Sequence, residues 1–136
     1  MEINKNESMY NISEKFWNIL DKAEKNQEKL YQLLYALERE ELINFESDFL
    51  KARMQICSQR FEDSLGRGRS EDTILDVSEW VISRGKDYYF KILKTPELIA
   101  QDLQLYSEAE VVTGVAGEVF EDKFDDEIRY YAKPPV

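Results

Sequence analysis

The chain has 136 residues, with 28 Asp and Glu against 18 Lys and Arg, a net charge of −10. That charge repels phosphate backbones, so free nucleic acid is excluded as an expected partner. No histidine and a single cysteine, Cys57, leave out His-based metal sites, His-activated nucleophiles and any internal disulfide. The length suits one domain, and the apolar share of 43% is enough to bury a core.

No apolar run reaches the roughly 18 residues of a membrane helix. The polar start, Met1 to Ser8, does not read as a signal peptide, so a cytoplasmic protein is expected. Residues 1–12 read as a flexible leader, 13–128 as a helical domain and 129–136 as a tail.

In chain order, Ser13 caps a first helix over 14–25, with Phe16, Leu20 and Ala23 on one face and Trp17 beside them. Asn26 ends it, and a second helix spans 27–37, striped by Leu30, Leu33, Leu34 and Leu37 and flanked by Tyr31 and Tyr35. A third runs from Glu40 to about Ser64, because Leu42, Phe45, Phe49, Ala52 and Ile56 step by three and four, with Gln59 or Arg60 continuing the stripe. Cys57 lies in this pattern, and burial is expected for it.

Gly66-Arg67-Gly68-Arg69-Ser70 is the clearest loop. Ser70 caps a helix through Ser83, and Gly85 separates it from a short helix over 87–94. Thr95-Pro96-Glu97 starts another that runs to about Tyr106. Ser107 and Glu110 then form a capping box that opens a last helix through Phe124, with Gly114 and Gly117 inside it. Neither an alternating strand pattern nor a repeat is present. The expectation is an all-α, compact single-domain bundle of six or seven helices.

Several segments, taken together and in order, carry a family resemblance. They are Phe16-Trp17-Asn18-Ile19-Leu20-Asp21-Lys22-Ala23, then Leu30-Tyr31-Gln32-Leu33-Leu34-Tyr35-Ala36-Leu37, then Glu40-Glu41-Leu42-Ile43-Asn44-Phe45-Glu46. Trp80-Val81-Ile82-Ser83-Arg84-Gly85-Lys86, Pro96-Glu97-Leu98 and Ala116-Gly117-Glu118-Val119-Phe120-Glu121-Asp122-Lys123-Phe124 follow. The chain resembles an uncharacterised bacterial helical family, the domain of unknown function numbered four-two-four-zero. The resemblance implies a compact helical domain and no particular activity. The stretch from Ile56 to Asp76 departs from that family's pattern, which carries a glycine-cysteine-acid segment before the tryptophan helix.

Four constellations bear on function. Arg67 and Arg69, in a glycine-containing loop ahead of a helix start, could contact an anion or a partner. The P-loop ending and its preceding strand are missing, so a connecting loop is the plainer reading. The stretch from Ser107 to Glu127 holds eight acids against Lys123 alone, a net −7. It lacks EF-hand spacing, which favours a solvated face or a dock for a basic protein over a metal site. Asp72, Asp76 and Glu79 share a helix face with no sign of a catalytic cleft. Tyr130-Tyr131 follow the acidic run and suit a partner contact or a tail folded back on the domain.

These features favour a non-enzymatic, acidic protein-interaction module without cofactor or metal. Glu121, Asp122, Asp125, Asp126, Tyr130 and Tyr131 would bind a basic partner, as an inhibitor or immunity-type protein does. The alternatives are a small ligand- or metal-binding domain or enzyme using carboxylates and the Arg67/Arg69 loop, and a homo-oligomeric structural subunit.

Overall fold

A computed structural model describes residues 10–66 and 68–135. Among them lie eight α-helical segments and four 3₁₀ turns, with no strand. The helices are α1 (Glu14–Ala23), α2 (Gln27–Tyr35), α3 (Arg39–Ile56), α4 (Gln59–Ser64), α5 (Glu71–Ser83), α6 (Lys86–Lys94), α7 (Ile99–Asp102) and α8 (Val115–Phe124).

Side chains of the expected kind start most of these helices. Ser13, Asn26, Ser58 and Ser70 each accept a backbone N–H from the first turn. Glu38 and Glu41 form a reciprocal capping box at α3. Ser13 is itself held from below, because its Oγ donates to the buried Asp48 of α3 at 2.7 Å. That hydrogen bond also supplies the partner which a buried carboxylate requires.

The longest helix, α3, packs against α1, α5 and α8. Leu42, Phe45, Phe49, Ala52 and Ile56 are all buried on it, as the stripe requires. Phe16, Trp17, Leu20 and Tyr89 meet them in an aromatic cluster, with Trp17 and Tyr89 ring centres 4.8 Å apart. The Tyr89 hydroxyl donates to the Ala52 carbonyl at 2.8 Å and accepts from Gln55. Burial pushes its phenol well above the ordinary range.

The first two helices end two residues early, at Ala23 and Tyr35, and three boundaries differ more widely from the sequence reading. The third helix does not reach Ser64. Cys57 leaves the helical region, Ser58 caps a new helix, and the turn brings both Phe61 and Leu65 into the core. Gln59 and Arg60 therefore leave the stripe: both are exposed, and Arg60 grips Glu97 through two hydrogen bonds of 2.6 and 2.8 Å. Cys57 is only half-buried, and burial raises its thiol above the usual range, away from thiolate chemistry.

The segment after Thr95 is a chain of short 3₁₀ and α turns up to Leu105 rather than one helix. The last helix begins at Val115, not at Ser107. Gly114 sits at its start with φ +85°, a conformation that ends any helix approaching from Ser107. Glu110 is diverted from the capping box, because it accepts the Trp80 indole N–H at 3.0 Å and pairs with Lys25 and Arg84. The Ser83 hydroxyl accepts the Val112 N–H at 3.0 Å and fixes the same segment to α5. Gly117 does lie inside a helix, where an added Cβ would meet Ile128 at 3.4 Å, so it serves close packing.

The α3–α5 contact contains one charged cluster. Arg53 pairs with the buried Glu79 at 3.0 Å, and Glu46 stands nearby on α3. Burial pushes the Glu46 carboxyl above the usual carboxylate range, Arg53 pulls against this, and Glu79 adds to it. An acid whose folded pKa is raised binds more protons folded than unfolded. Its ionisation therefore subtracts stability as pH climbs above the unfolded value of 4.5. Glu46→Gln should then melt higher than the wild type at about pH 7. The gap should close as pH falls toward 4.5, and a variant that melts lower at neutral pH would contradict this.

Candidate functional site

α8 lies against α2 and α3 near the C-terminal end of the chain. Val115, Ala116, Val119 and Phe120 face inward, which leaves Glu118, Glu121 and Asp122 on the outer face. The helix ends at Asp125, whose φ of +51° turns the chain back. Ile128 and Ala132 are then buried, so the tail is tied to the domain and the two tyrosines between them stay accessible.

Two of the acids are engaged within the fold. Asp122 accepts the Tyr31 hydroxyl at 2.6 Å. That hydrogen bond is the main reason the Tyr31 phenol is pushed up to about 12. Asp126 accepts the Tyr131 hydroxyl and the Arg39 guanidinium, and together with the Glu127 N–H these hold it below the usual carboxylate range. Glu118, Glu121 and Asp125 are exposed and make no ion pair among the described residues.

Lys123, the single cation of the acidic stretch, turns away from them. Its Nζ donates to the Tyr35 and Leu37 carbonyls at 2.7 and 2.8 Å, capping the end of α2. Glu118, Glu121 and Asp125 therefore stay without an ion pair among the described residues, whereas Arg39 pairs with Asp126 and Arg129 with Glu127.

Two tyrosines contact these acids, Tyr31 at Asp122 and Tyr131 at Asp126. Tyr31 and Tyr35 stack on α2 with ring centres 5.9 Å apart, and Tyr35 is 48% exposed. Tyr130 and Tyr131 follow α8 at 57% and 47% exposure, and the Tyr131 ring packs on Phe120 of that helix. Arg39 supports the second pair: its guanidinium lies 4.6 Å from the Tyr131 ring centre and 4.7 Å from that of Phe120. Arg39→Ala should release this turn, read as faster amide exchange at Tyr131 and Ala132. Arg39→Lys should not restore protection, because an ammonium lacks the planar stacking fork. Wild-type exchange in both variants would refute the role given to Arg39.

Glu121, Asp122 and Asp125 lie on the exposed side of α8 and its cap, Asp126 and Tyr131 are hydrogen-bonded to each other just beyond it, and Tyr130 is exposed in the same turn. Sequence reasoning did not place Arg39, Tyr31 or Tyr35 there. Arg69 lies elsewhere, beside α5, and Arg67 lies outside the described residues. Asp72 and Asp76 are exposed, whereas Glu79 is buried against Arg53, so the three do not form an acid–base set. Among the described residues no group of three His, Cys, Asp or Glu is placed to hold a metal ion. No helix there is long and apolar enough to cross a membrane.

A family model described as Protein of unknown function (DUF4240) matches residues 12–122. The chain belongs to this family. No curated protein and no solved structure matches it. Within the DUF4240 match lie Tyr31, Tyr35, Arg39, Glu118, Glu121 and Asp122, while Asp125, Asp126 and the terminal tyrosines follow it.

Proposed function

We propose that this DUF4240 protein is a non-enzymatic docking module of the cytoplasm. Its working surface is the outer face of α8 with the neighbouring tyrosines, and its partner is a protein with a basic surface. The observation that carries the reading is the unpaired charge of Glu118, Glu121 and Asp125 on a helix that packs against α2, with Tyr35 of α2 and Tyr130 of the following turn both exposed. Carboxylates at this density steer a basic partner, and accessible tyrosines supply contact area at low entropic cost. An inhibitor or immunity-type protein that covers the anion-attracting cleft of a nuclease is the most concrete form of this reading.

The test is a pull-down from the native host's lysate with the wild type and with Glu118→Gln/Glu121→Gln/Asp125→Asn. These substitutions leave the Tyr31–Asp122 and Arg39–Asp126 contacts in place. A basic protein held stoichiometrically by the wild type, and lost both from the triple variant and at high salt, is the expected result. Equal retention by both proteins would rule out the electrostatic surface.

A further inference from the structure

A cavity of about 320 Å³ opens between α5 and the turns that follow α7, away from the α8 surface. Such a volume is at the small end of ligand pockets. Three charged side chains line it: Arg69 from the glycine loop, Asp76 from α5, and Glu108 from the 3₁₀ turn over Glu108–Glu110. None of them makes an ion pair among the described residues. Arg69 is nonetheless held in position, because its Nε–H donates to the Leu65 carbonyl at 2.8 Å. That bond leaves the two terminal nitrogens of the guanidinium for a ligand.

The remaining wall is formed by Leu65, Val77 and Leu103 beside the Tyr106 ring, with Thr73 as its one uncharged polar side chain besides the tyrosine. Burial raises the Tyr106 phenol above its ordinary range, with the nearby Asp76, Glu108 and Glu79 adding to it.

The mixture of charges selects the ligand. A phosphate dianion would meet two carboxylates. A divalent cation would meet the guanidinium and too few oxygens. A simple amine would leave Arg69 without a counter-charge. We infer that the cavity binds a free α-amino acid with an apolar side chain. The ligand carboxylate sits on the Arg69 fork, its ammonium lies between Asp76 and Glu108, and its side chain meets Leu65, Val77 and Leu103. This assignment stands apart from the docking surface on α8, and neither depends on the other.

Calorimetric titration with L-leucine, L-leucinamide and N-acetyl-L-leucine tests it. L-leucine should bind, and the two capped forms, each lacking one charge, should bind about tenfold more weakly or worse. Arg69→Gln should weaken L-leucine by a similar factor and leave leucinamide unchanged. Asp76→Asn with Glu108→Gln should do the converse and spare N-acetyl-leucine. All three positions are exposed, so far-UV circular dichroism should confirm intact folds. No binding heat from L-leucine at about 10 mM, or equal binding of all three compounds, overturns the assignment.

Discussion

Trp80→Ala should destabilise the domain by about 3–5 kcal/mol, the range expected for truncating a buried aromatic. Trp80 is fully buried on α5, with Tyr88 and Tyr106 ring centres each 5.8 Å away. Arg84 lies over both the Trp80 and Tyr88 rings at 4.7 Å. The indole N–H also reaches Glu110 and so fixes the 107–114 segment that α8 follows. Natural domains of this size keep about 5–15 kcal/mol in hand, so the loss removes a large part of the total. Trp80→Phe separates the two contributions. It keeps an aromatic ring but deletes a hydrogen bond to a charged acceptor, which costs about 1.5–3 kcal/mol. Denaturant unfolding should rank wild type, Trp80→Phe and Trp80→Ala in falling order. A Trp80→Ala protein within 1 kcal/mol of wild type would contradict the packing described, given the roughly 3–5 kcal/mol expected.

Gly85→Ala should be nearly as damaging, for two independent reasons. Gly85 begins α6 at φ +102° and ψ 177°, a region essentially closed to residues with a Cβ. The backbone conformation alone therefore costs about 1–3 kcal/mol. An added Cβ would also come within 2.5 Å of the Asp21 Oδ1, the atom that accepts the Lys86 N–H. Relief of the clash thus breaks a contact between α1 and the start of α6. A double-mutant cycle resolves the two terms. In an Asp21→Ala background the steric part of the Gly85→Ala penalty should vanish and the backbone part persist. Full additivity would show that the carboxylate does not press on this position.

Much of this architecture was legible because it rests on local chemistry. Ser13, Asn26 and Ser70 announce helix starts by capping, and the α3 stripe from Leu42 to Ile56 follows from helical spacing. The errors fall where tertiary contacts override local signals. Ser58 looked like one more residue of a long helix, because nothing nearby in sequence reveals that Phe61 and Leu65 turn into the core. Ser107 and Glu110 have capping-box spacing, but Trp80, 30 residues away, takes Glu110. Gly114 looked like an interior helical residue until its positive φ placed it at the boundary.

The candidate surface was legible in the same partial way. Its acids and terminal tyrosines are contiguous in sequence, so charge counting finds them. Tyr35 and Arg39 join them only because α2 and α3 pack against α8. Counting also cannot tell engaged acids from available ones. Asp122 and Asp126 carry hydrogen bonds within the fold, whereas Glu118, Glu121 and Asp125 do not share those roles. The cavity beside α5 was fainter still. Arg69 and Asp76 drew notice separately, and Glu108 and Leu103 come from a turn segment that read as regular helix.

The most direct test of the proposed docking surface is the salt dependence of affinity for a basic protein captured from the lysate. Wild type and Glu118→Gln/Glu121→Gln/Asp125→Asn should be compared from low to high ionic strength. Wild-type affinity should fall steeply with salt, carried mainly by the association rate. The triple variant should bind more weakly at low salt, follow a flatter slope and converge with the wild type at high salt. Identical affinities and slopes for the two proteins would contradict this and remove the α8 face as the docking surface.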